Sequence, residues 1–357
     1  MKRTKITILL WSVLSFAVFF CGCGPPGQSA EGALGKAGSR DGSDPAEILT
    51  MEKPDHEGTG LIRVGFSQLG SESDWRVANT ESMRETFTEE NGYELIFEDA
   101  RQKQEDQISA IRRFILQEVD YIVLAPVVEK GWDEILSEAK EAGIPVIIED
   151  RMVSADEDLY AAWVGTDARQ EGEQAIACLE ELLKETGREK EDIYICHMQG
   201  SAGSSAQLGR SAALRAAYAR HPSWKQSGIL NGEFVTAKGY ETMKGFLATN
   251  PRLDVLYCEN DDCAFGAMQA MDEAGITYGV GGDVIVIAFD ATRAGLTACL
   301  DGKINIDVEC NPLHGPRVEK IIRQMEAGET PDKQAYVEET YFTSDTITQE
   351  IINGRKY

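Results

Sequence analysis

The chain has 357 residues, of which 42% are hydrophobic and 27% charged, and its formal net charge at pH 7 is −25. A single hydrophobic core stops growing at about 250–300 residues, so this length predicts two domains. The excess of acidic side chains excludes nucleic acid and anionic lipid surfaces as the main partners, because both repel a strongly acidic protein.

Residues 1–22 have the pattern of an export signal. Lys2, Arg3 and Lys5 form a positive region, and an apolar run from Ile6 to Phe20 follows it. This run is shorter than the roughly 20 apolar residues that a membrane-spanning helix needs. The pattern therefore predicts a secretory signal peptide and an extracytoplasmic protein.

The end of this segment predicts a lipid anchor. The tetrad Phe20-Cys21-Gly22-Cys23 resembles a bacterial lipobox, in which a small residue precedes the cysteine that receives the lipid. Gly22 fits that rule, so Cys23 is the predicted lipidation site. Phe20 replaces the usual leucine, and Cys21 is a poorer candidate because Phe20 precedes it. An uncleaved membrane anchor and a soluble secreted protein remain the alternatives.

Residues 23–60 predict a lipid anchor followed by a flexible linker. The segment is rich in glycine, proline and serine and has no apolar period. Such a linker would hold the folded part, residues 61–357, away from the membrane.

From residue 61 onward, strand-like and helix-like patterns alternate with short loops between them. The predicted strands are 61–68, 93–98, 121–124, 145–149, 193–198, 228–234, 253–258, 284–289 and 304–308. The predicted helices are 73–91, 103–117, 132–142, 169–185, 204–220, 237–249, 263–274, 294–300 and 312–326, the last beginning with Pro312. This alternation predicts an α/β protein with two doubly wound parallel-sheet lobes and a cleft between them.

Polar side chains follow the ends of several predicted strands, where open parallel sheets bind their ligands. They lie in 68–76, at Asp150 and Arg151, in 260–262, and at Asp290. Carboxylates accept hydrogen bonds, guanidinium groups donate them, and amides do both. Trp75 adds a flat apolar face. This combination suits a polyhydroxylated ligand such as a sugar.

The cysteines and histidines give no evidence for a metal or another cofactor, and the sequence predicts none. Six cysteines lie beyond residue 23; export permits disulfides between them, but buried free thiols are equally compatible with a chain of this size. There is no CxxC spacing, and the four histidines are scattered.

An exported sugar-processing enzyme is the first alternative to a binding protein. No HExxH, GxSxG or GxxxxGK[ST] motif occurs. Glu72 and Asp150 could in principle form the carboxylate pair of a glycoside hydrolase. Without any other catalytic pattern, the sequence favours binding, and we expect no enzymatic activity.

Four stretches carry a resemblance to a known family. They are VGFSQLGSESDWR at 64–76, QKQEDQI at 102–108, APVVEKGW at 125–132, and the segment from ENDD at 259–262 to AFD at 288–290. They resemble the galactofuranose-binding members of the type I periplasmic sugar-binding proteins of bacterial ABC transporters, along nearly all of 61–357. Asp74 stands where one such member has glycine.

The resemblance implies that two lobes are joined by a three-segment hinge. The first lobe would comprise 61–166 and 312–334, and the second 167–311 and 335–357. It also implies these ligand-binding residues: Glu72, Trp75, Arg76, Asp150, Arg151, Arg210, Asn260, Asp290 and, on a looser match, Glu309. The alternatives are a surface salt bridge for Asp150 and Arg151, helix caps for Asn260 and Asp290, a core position for Trp75 and a solvated one for Arg210.

The implied function is capture of a monosaccharide, with galactofuranose as the leading ligand, by closure of the hinge. Delivery to the permease subunits of an ABC transporter would follow, from a monomer anchored to the membrane by its N-terminal lipid. A second alternative is a sensory co-receptor that presents the sugar to a membrane kinase. A sugar-responsive repressor of the same fold is excluded, because no helix-turn-helix precedes residue 61 and a signal peptide does.

Overall fold

The computed structural model describes residues 60–357. The predicted signal peptide, the Cys23 lipidation site and the linker up to residue 59 lie outside the described residues. No helix in the described part is both long enough and apolar enough to cross a membrane.

The described residues form twelve strands and ten α-helices. The strands are β1 (Ile62–Gln68), β2 (Tyr93–Asp99), β3 (Tyr121–Leu124), β4 (Val146–Glu149), β5 (Ala162–Gly165), β6 (Ile193–Gln199), β7 (Trp224–Asn231), β8 (Val255–Cys258), β9 (Ile285–Asp290), β10 (Ile306–Glu309), β11 (Gln334–Tyr336) and β12 (Tyr341–Thr343). The helices are α1 (Asp74–Thr86), α2 (Gln104–Leu116), α3 (Asp133–Glu141), α4 (Ala168–Glu185), α5 (Ser205–Arg220), α6 (Thr236–Leu247), α7 (Asp261–Ala274), α8 (Arg293–Leu300), α9 (Gly315–Glu326) and α10 (Gln349–Gly354).

The strands form two six-stranded sheets, which confirms the predicted fold class of two doubly wound α/β lobes. The first sheet has the order β11-β5-β4-β3-β1-β2 and the second the order β12-β10-β9-β8-β6-β7. All strand pairs are parallel except β10 with β12, which is antiparallel. Both faces of each sheet must be covered, because the central strands are apolar on both sides.

Helices supply this cover from both sides. In the first lobe, α1 and α9 pack on one face through Met83 and Ile322, and α2 and α3 pack on the other through Phe114 and Leu136. In the second lobe, α4 and α5 cover one face, while α6, α7, α8 and α10 cover the other. Each lobe therefore has a hydrophobic layer on either side of its sheet.

The chain passes between the lobes three times. It leaves the first sheet between β5 and α4, returns between β10 and α9, and leaves again between β11 and β12. The third crossing lies slightly later than the predicted boundary after residue 334, because β11 pairs with β5 as far as Tyr336. The periodicity alone predicted two sequential lobes, and it cannot show this interleaving.

Other predicted boundaries also need correction. The helix predicted for 73–91 ends at Thr86, and a separate 3₁₀ turn at Glu89–Asn91 is terminated by Gly92 with φ of 91°. The extended segment predicted for 228–234 is β7, which begins at Trp224 and ends at Asn231. The last long helix starts at Gly315, with Pro316 rather than Pro312 in its first turn. The short strands β5, β11 and β12 were not predicted, because a few residues show no clear period.

The sequence left open whether the cysteines form disulfides or remain free thiols, and the structure decides this for the described residues. All six cysteines in 60–357 are buried free thiols, so the fold does not depend on disulfides. They act as small apolar core residues.

The close packing of α6 against α7 yields a test of the fold. A Cβ atom at Gly266 would lie 2.0 Å from the Thr236 carbonyl oxygen and 2.6 Å from the Tyr240 amide nitrogen, both of them backbone atoms. We expect Gly266→Ala to lower the free energy of unfolding by about 1–3 kcal/mol, as overpacking does. Gly245→Ala in α6 is the matched control, because nothing lies within 4 Å of its Cβ position; it should stabilise by up to about 1 kcal/mol. Urea denaturation of both variants measures the difference, and equal stability would contradict the described packing.

Candidate functional site

The carboxyl ends of both sheets face a common cavity. Eight of the nine predicted ligand-binding residues line it. They are Glu72, Trp75, Arg76, Asp150 and Arg151 from the first lobe and Arg210, Asn260 and Asp290 from the second. The cavity therefore lies where polar residues follow the strands of both lobes.

The lobes touch each other beside this cavity. The amide of Asp74 donates to Asp262 Oδ2 at 3.3 Å, and the amide of Met152 donates to Ser205 Oγ at 2.9 Å. A third contact joins the Glu129 amide to the Gly203 carbonyl oxygen at 3.2 Å. These contacts hold the lobes in a closed arrangement, in which the lining residues are largely withdrawn from solvent.

Arg76 is the centre of the first lobe's share of the site. Ser73 caps α1 by accepting a hydrogen bond from the Arg76 amide, which fixes the start of the helix. The buried guanidinium then donates to Glu72 Oε1 at 3.2 Å and to Asp150 Oδ2 at 2.5 Å. The alternative of a surface salt bridge between Asp150 and Arg151 is wrong, because both side chains are largely buried and Asp150 pairs more closely with Arg76 than with Arg151, whose Nε is 3.9 Å away.

The charges around Asp150 argue against glycoside hydrolysis. Burial alone would raise the pKa of the Asp150 carboxyl, but the guanidinium groups of Arg76 and Arg151 outweigh this effect and hold the pKa below its usual value. Glu72 contacts the same two arginines. A general acid needs a raised pKa, and Asp150 has the opposite environment.

Arg210 is the central cation of the second lobe's share of the site, as Arg76 is in the first lobe. It lies in the second turn of α5, is 2% exposed, and forms a two-point contact with Glu171 of α4 at 2.7 and 3.2 Å. It also donates to the Glu259 carbonyl oxygen at 2.5 Å and lies 3.9 Å from Asp290. The solvated position that an alanine-rich helix suggested is therefore wrong.

Asn260 and Asp290 differ with respect to helix capping. Asn260 Oδ1 accepts a hydrogen bond from the Cys263 amide at 3.0 Å, so it caps α7 while its side chain also lines the cavity. Asp290 caps nothing, because Thr292 caps α8. Burial raises the pKa of the Asp290 carboxyl well above its ordinary value, although Arg210 partly opposes the effect.

Trp75 combines a buried position with a place at the cavity wall. It is 4% exposed, and its indole N–H donates to the Cys310 carbonyl oxygen at 2.6 Å. The Arg76 guanidinium lies 4.6 Å from the centre of the indole ring, so that face is already covered. The ring of His314 meets Trp75 edge-on. Trp75 is thus tied to the crossing segment between β10 and α9.

Glu309 lies apart from the other predicted site residues. It does not line the cavity. Its carboxylate accepts hydrogen bonds from Arg355 and from the Tyr357 hydroxyl, and it thereby holds the C-terminal residues against the second lobe.

Four lining residues are absent from the predicted ligand-binding set: Ser73, which lies in the polar stretch 68–76, and Ala206, Phe234 and Cys310, which no sequence pattern indicated. Phe234 follows β7 in a loop, has φ of 63°, and lies 5.4 Å from the Arg151 guanidinium. A Cβ at Gly200 would be 1.9 Å from its ring, so that glycine makes room for it. No pattern in the sequence indicates that Phe234 and Gly200 lie in contact.

One group of side chains in the described part has the composition of a metal site. The candidate ligand atoms of Glu171, Cys310 and Glu339 lie within 4.8 Å of one another near the lobe crossings. Glu171 already uses both oxygens on Arg210. Burial, with the nearby Glu171, raises the pKa of Glu339 to about 9, so at neutral pH it carries a proton rather than a negative charge. These three residues do not fit a cation site.

The sequence and the fold agree with one family. Residues 64–312 match the periplasmic binding protein domain family. The chain belongs to it. Curated relatives of this family include the galactofuranose-binding protein YtfQ of Escherichia coli K12, which is 35% identical over 295 residues, covering 81% of this chain and 90% of the relative.

Solved structures give the same result. A Mycobacterium smegmatis protein in complex with β-D-fucofuranose superposes with a TM-score of 0.77 and 36% identity, covering 82% of this chain and 97% of the other. The binding protein of the arabinose ABC transporter from Shewanella sp. ANA-3, bound to L-arabinofuranose, gives 0.76 and 36%, covering 82% and 95%. The Escherichia coli relative is named as a galactofuranose-binding protein and the Shewanella protein as a periplasmic binding protein, and neither is named as an enzyme.

The Arg210–Glu171 contact predicts a large loss of stability when the cation is removed. Arg210→Met leaves Glu171 and Asp290 buried without their partner, so we expect a loss of about 3–5 kcal/mol in the free energy of unfolding. Arg169→Met is the control, because its pair with Glu173 lies in the same region but is half-exposed; it should cost below about 0.5 kcal/mol. Thermal and urea unfolding of both variants measure this difference. A loss for Arg210→Met as small as that for Arg169→Met would contradict the described burial.

Proposed function

We propose that the protein captures a neutral monosaccharide, with a furanose such as galactofuranose as the leading candidate, and delivers it to an ABC permease. The observation that carries this proposal is the charge balance of the cavity. Three arginines line it together with Glu72, Asp150 and Asp290, and each arginine already has an acidic partner: Arg76 lies beside Asp150, Arg151 beside Glu72, and Arg210 beside Glu171. A lining with balanced charges favours a neutral ligand with many hydroxyl groups over an ion.

Sugar hydroxyls match the hydrogen-bonding groups that the lining offers. Asp150 and Asp290 supply oxygens that accept hydrogen bonds, while Arg76, Arg151 and Arg210 supply donors. Charged partners make stronger hydrogen bonds than neutral ones. Because most of these groups are already fixed by neighbours, binding needs little reordering of side chains. The furanose ligands in the structures of two relatives support the choice of ring form.

Contacts from both lobes link binding to closure. A sugar that touches Arg76 and Asp150 in the first lobe and Asp290 in the second favours the closed arrangement over an open one. A shift from 1:99 to 99:1 requires a difference of about 5.5 kcal/mol in binding free energy between the two forms. A permease that contacts both lobes can then distinguish loaded from empty protein.

The first test is direct sugar binding. We expect isothermal titration with a panel of pentoses and hexoses, including galactofuranose, to find at least one ligand. At 100 times the dissociation constant, that sugar should stabilise the protein by about 2.7 kcal/mol. Asp290→Ala should abolish binding and leave the fold intact, whereas Asp301→Ala, at an exposed position on α8's C-terminal end, should bind as the wild type does. Absence of binding across the panel, or undiminished affinity of Asp290→Ala, would overturn the proposal.

The second test concerns the anchor. We propose that Cys23 carries a lipid, which supplies the membrane attachment that an acidic surface cannot. Wild-type cells should hold the protein in the membrane fraction, and Cys23→Ser cells should release it. Uptake of the labelled sugar should fall when the gene is deleted and return with the wild-type gene but not with Asp290→Ala. Membrane retention of Cys23→Ser would refute lipidation at this residue, and normal uptake after deletion would refute delivery.

A further inference from the structure

Two carboxyl groups lie buried directly behind Asp290. Asp261 is the first residue of α7, Asp307 lies in β10, and neither side chain is exposed. The two carboxyl groups bind the amides of consecutive residues, Thr292 and Ala291, which places them side by side. Asp261 Oδ1 and Asp307 Oδ2 have no donor within reach among the described residues. Two ionised carboxylates cannot satisfy each other, whereas a single shared proton pairs these two oxygens.

The remaining oxygens of the pair hold the turn that follows Asp290. Asp261 Oδ2 accepts hydrogen bonds from the Thr292 amide at 2.9 Å and from its hydroxyl at 2.7 Å. Asp307 Oδ1 accepts one from the Ala291 amide at 3.1 Å. Two consecutive amides after Asp290 are thus fixed by the same two side chains.

This turn needs such support because its backbone is strained. Asp290 has φ of 110° and Ala291 has φ of 50°, values that residues other than glycine rarely adopt because of steric strain. Space is also reserved for the pair, since a Cβ at Gly295 would lie 2.2 Å from the Asp261 carboxylate. The strained conformation, in turn, decides where the Asp290 carboxyl lies in the cavity wall.

We propose that Asp261 and Asp307 form a pair with one shared proton and act as positioning residues that hold Asp290 at the ligand. The proposal rests on the proposed sugar-binding function. The pair does not touch the cavity; it acts through the amides of Ala291 and Thr292. Its consequence is that ligand affinity depends on a proton that lies outside the binding cavity.

The surroundings of the pair favour retention of this proton. The groups that face it are Asp262, Asp290 and the Cys299 thiol. Arg210, the cation beside Asp290, is already engaged by Glu171. Burial raises the pKa of Asp261 to about 7 and raises that of Asp307 well above its ordinary value. Loss of the shared proton at alkaline pH would place two negative charges side by side and release the turn.

An isosteric variant tests the proposal. In Asp307→Asn, the amide oxygen can still accept from Ala291, and the amide nitrogen can donate to Asp261 without any titratable proton. Between pH 6 and pH 9.5, wild-type affinity for the sugar found in the panel should fall by at least about tenfold, the effect of one proton over one pH unit. Affinity of Asp307→Asn should stay within about threefold over the same range. Asp301→Asn, the exposed control, should follow the wild-type profile.

A second variant separates the role of the pair from effects of pH on other titratable groups. Asp307→Ala removes both the shared proton and the acceptor for Ala291, so its affinity at pH 6 should fall by about tenfold or more while Asp307→Asn binds normally. An Asp307→Asn profile that matches the wild type, or wild-type affinity in Asp307→Ala, overturns the proposal. If the wild type binds a sugar with no dependence on pH, only the pair is refuted. If it binds no sugar at pH 6, the proposed function fails as well.

Discussion

The cavity depends on buried contacts between guanidinium groups and carboxylates. Arg76 lies between Glu72 and Asp150, and Arg210 lies between Glu171 and Asp290. Burying such charges is unfavourable unless each has a partner, and breaking one pair leaves the other charge unpaired. The arrangement therefore fixes donors and acceptors before a ligand arrives, and it keeps the lining close to electrical neutrality. Burial of these charge pairs lowers the stability of the protein, but it also makes the site suited to an uncharged polyhydroxylated molecule.

The fold brings these residues together because both sheets are parallel. Asp150 follows β4 and Asp290 ends β9, so both lie at carboxyl ends of strands, while α1 and α5 begin beside the same cavity. Helix starts and strand ends converge there in each lobe. The three crossings then hold the two lobes with these edges facing each other. The lining residues lie at strand ends, at helix starts or in the loops that connect these elements.

The fold class and most of the lining residues could be predicted from the sequence, since strand and helix patterns alternate clearly and the polar residues follow the strands. The short strands β5, β11 and β12 could not, because three or four residues carry no reliable period and their pairing is set by the tertiary fold.

Phe234 could not be predicted as a lining residue for a similar reason: its position depends on a loop with positive φ and on the space left by Gly200. The contacts of Glu309 with Arg355 and Tyr357 could not be predicted either, because these partners lie at the far end of the chain. Asn260 shows that capping and lining are compatible, so the two interpretations of such a residue were never exclusive.

The cavity is joined directly to the segments that cross between the lobes. Trp75 donates to the Cys310 carbonyl oxygen, and Asn79 in the same helix donates to the Pro312 carbonyl oxygen at 3.1 Å. Glu339 accepts hydrogen bonds from Thr166 and from the Asn311 amide, so it connects all three crossings. In the proposed function, closure of the lobes over a ligand would move these segments relative to the lobes they join. Because the first-lobe wall is bonded to the second crossing, a ligand that fixed Trp75 and Arg76 would also restrain the hinge through these hydrogen bonds.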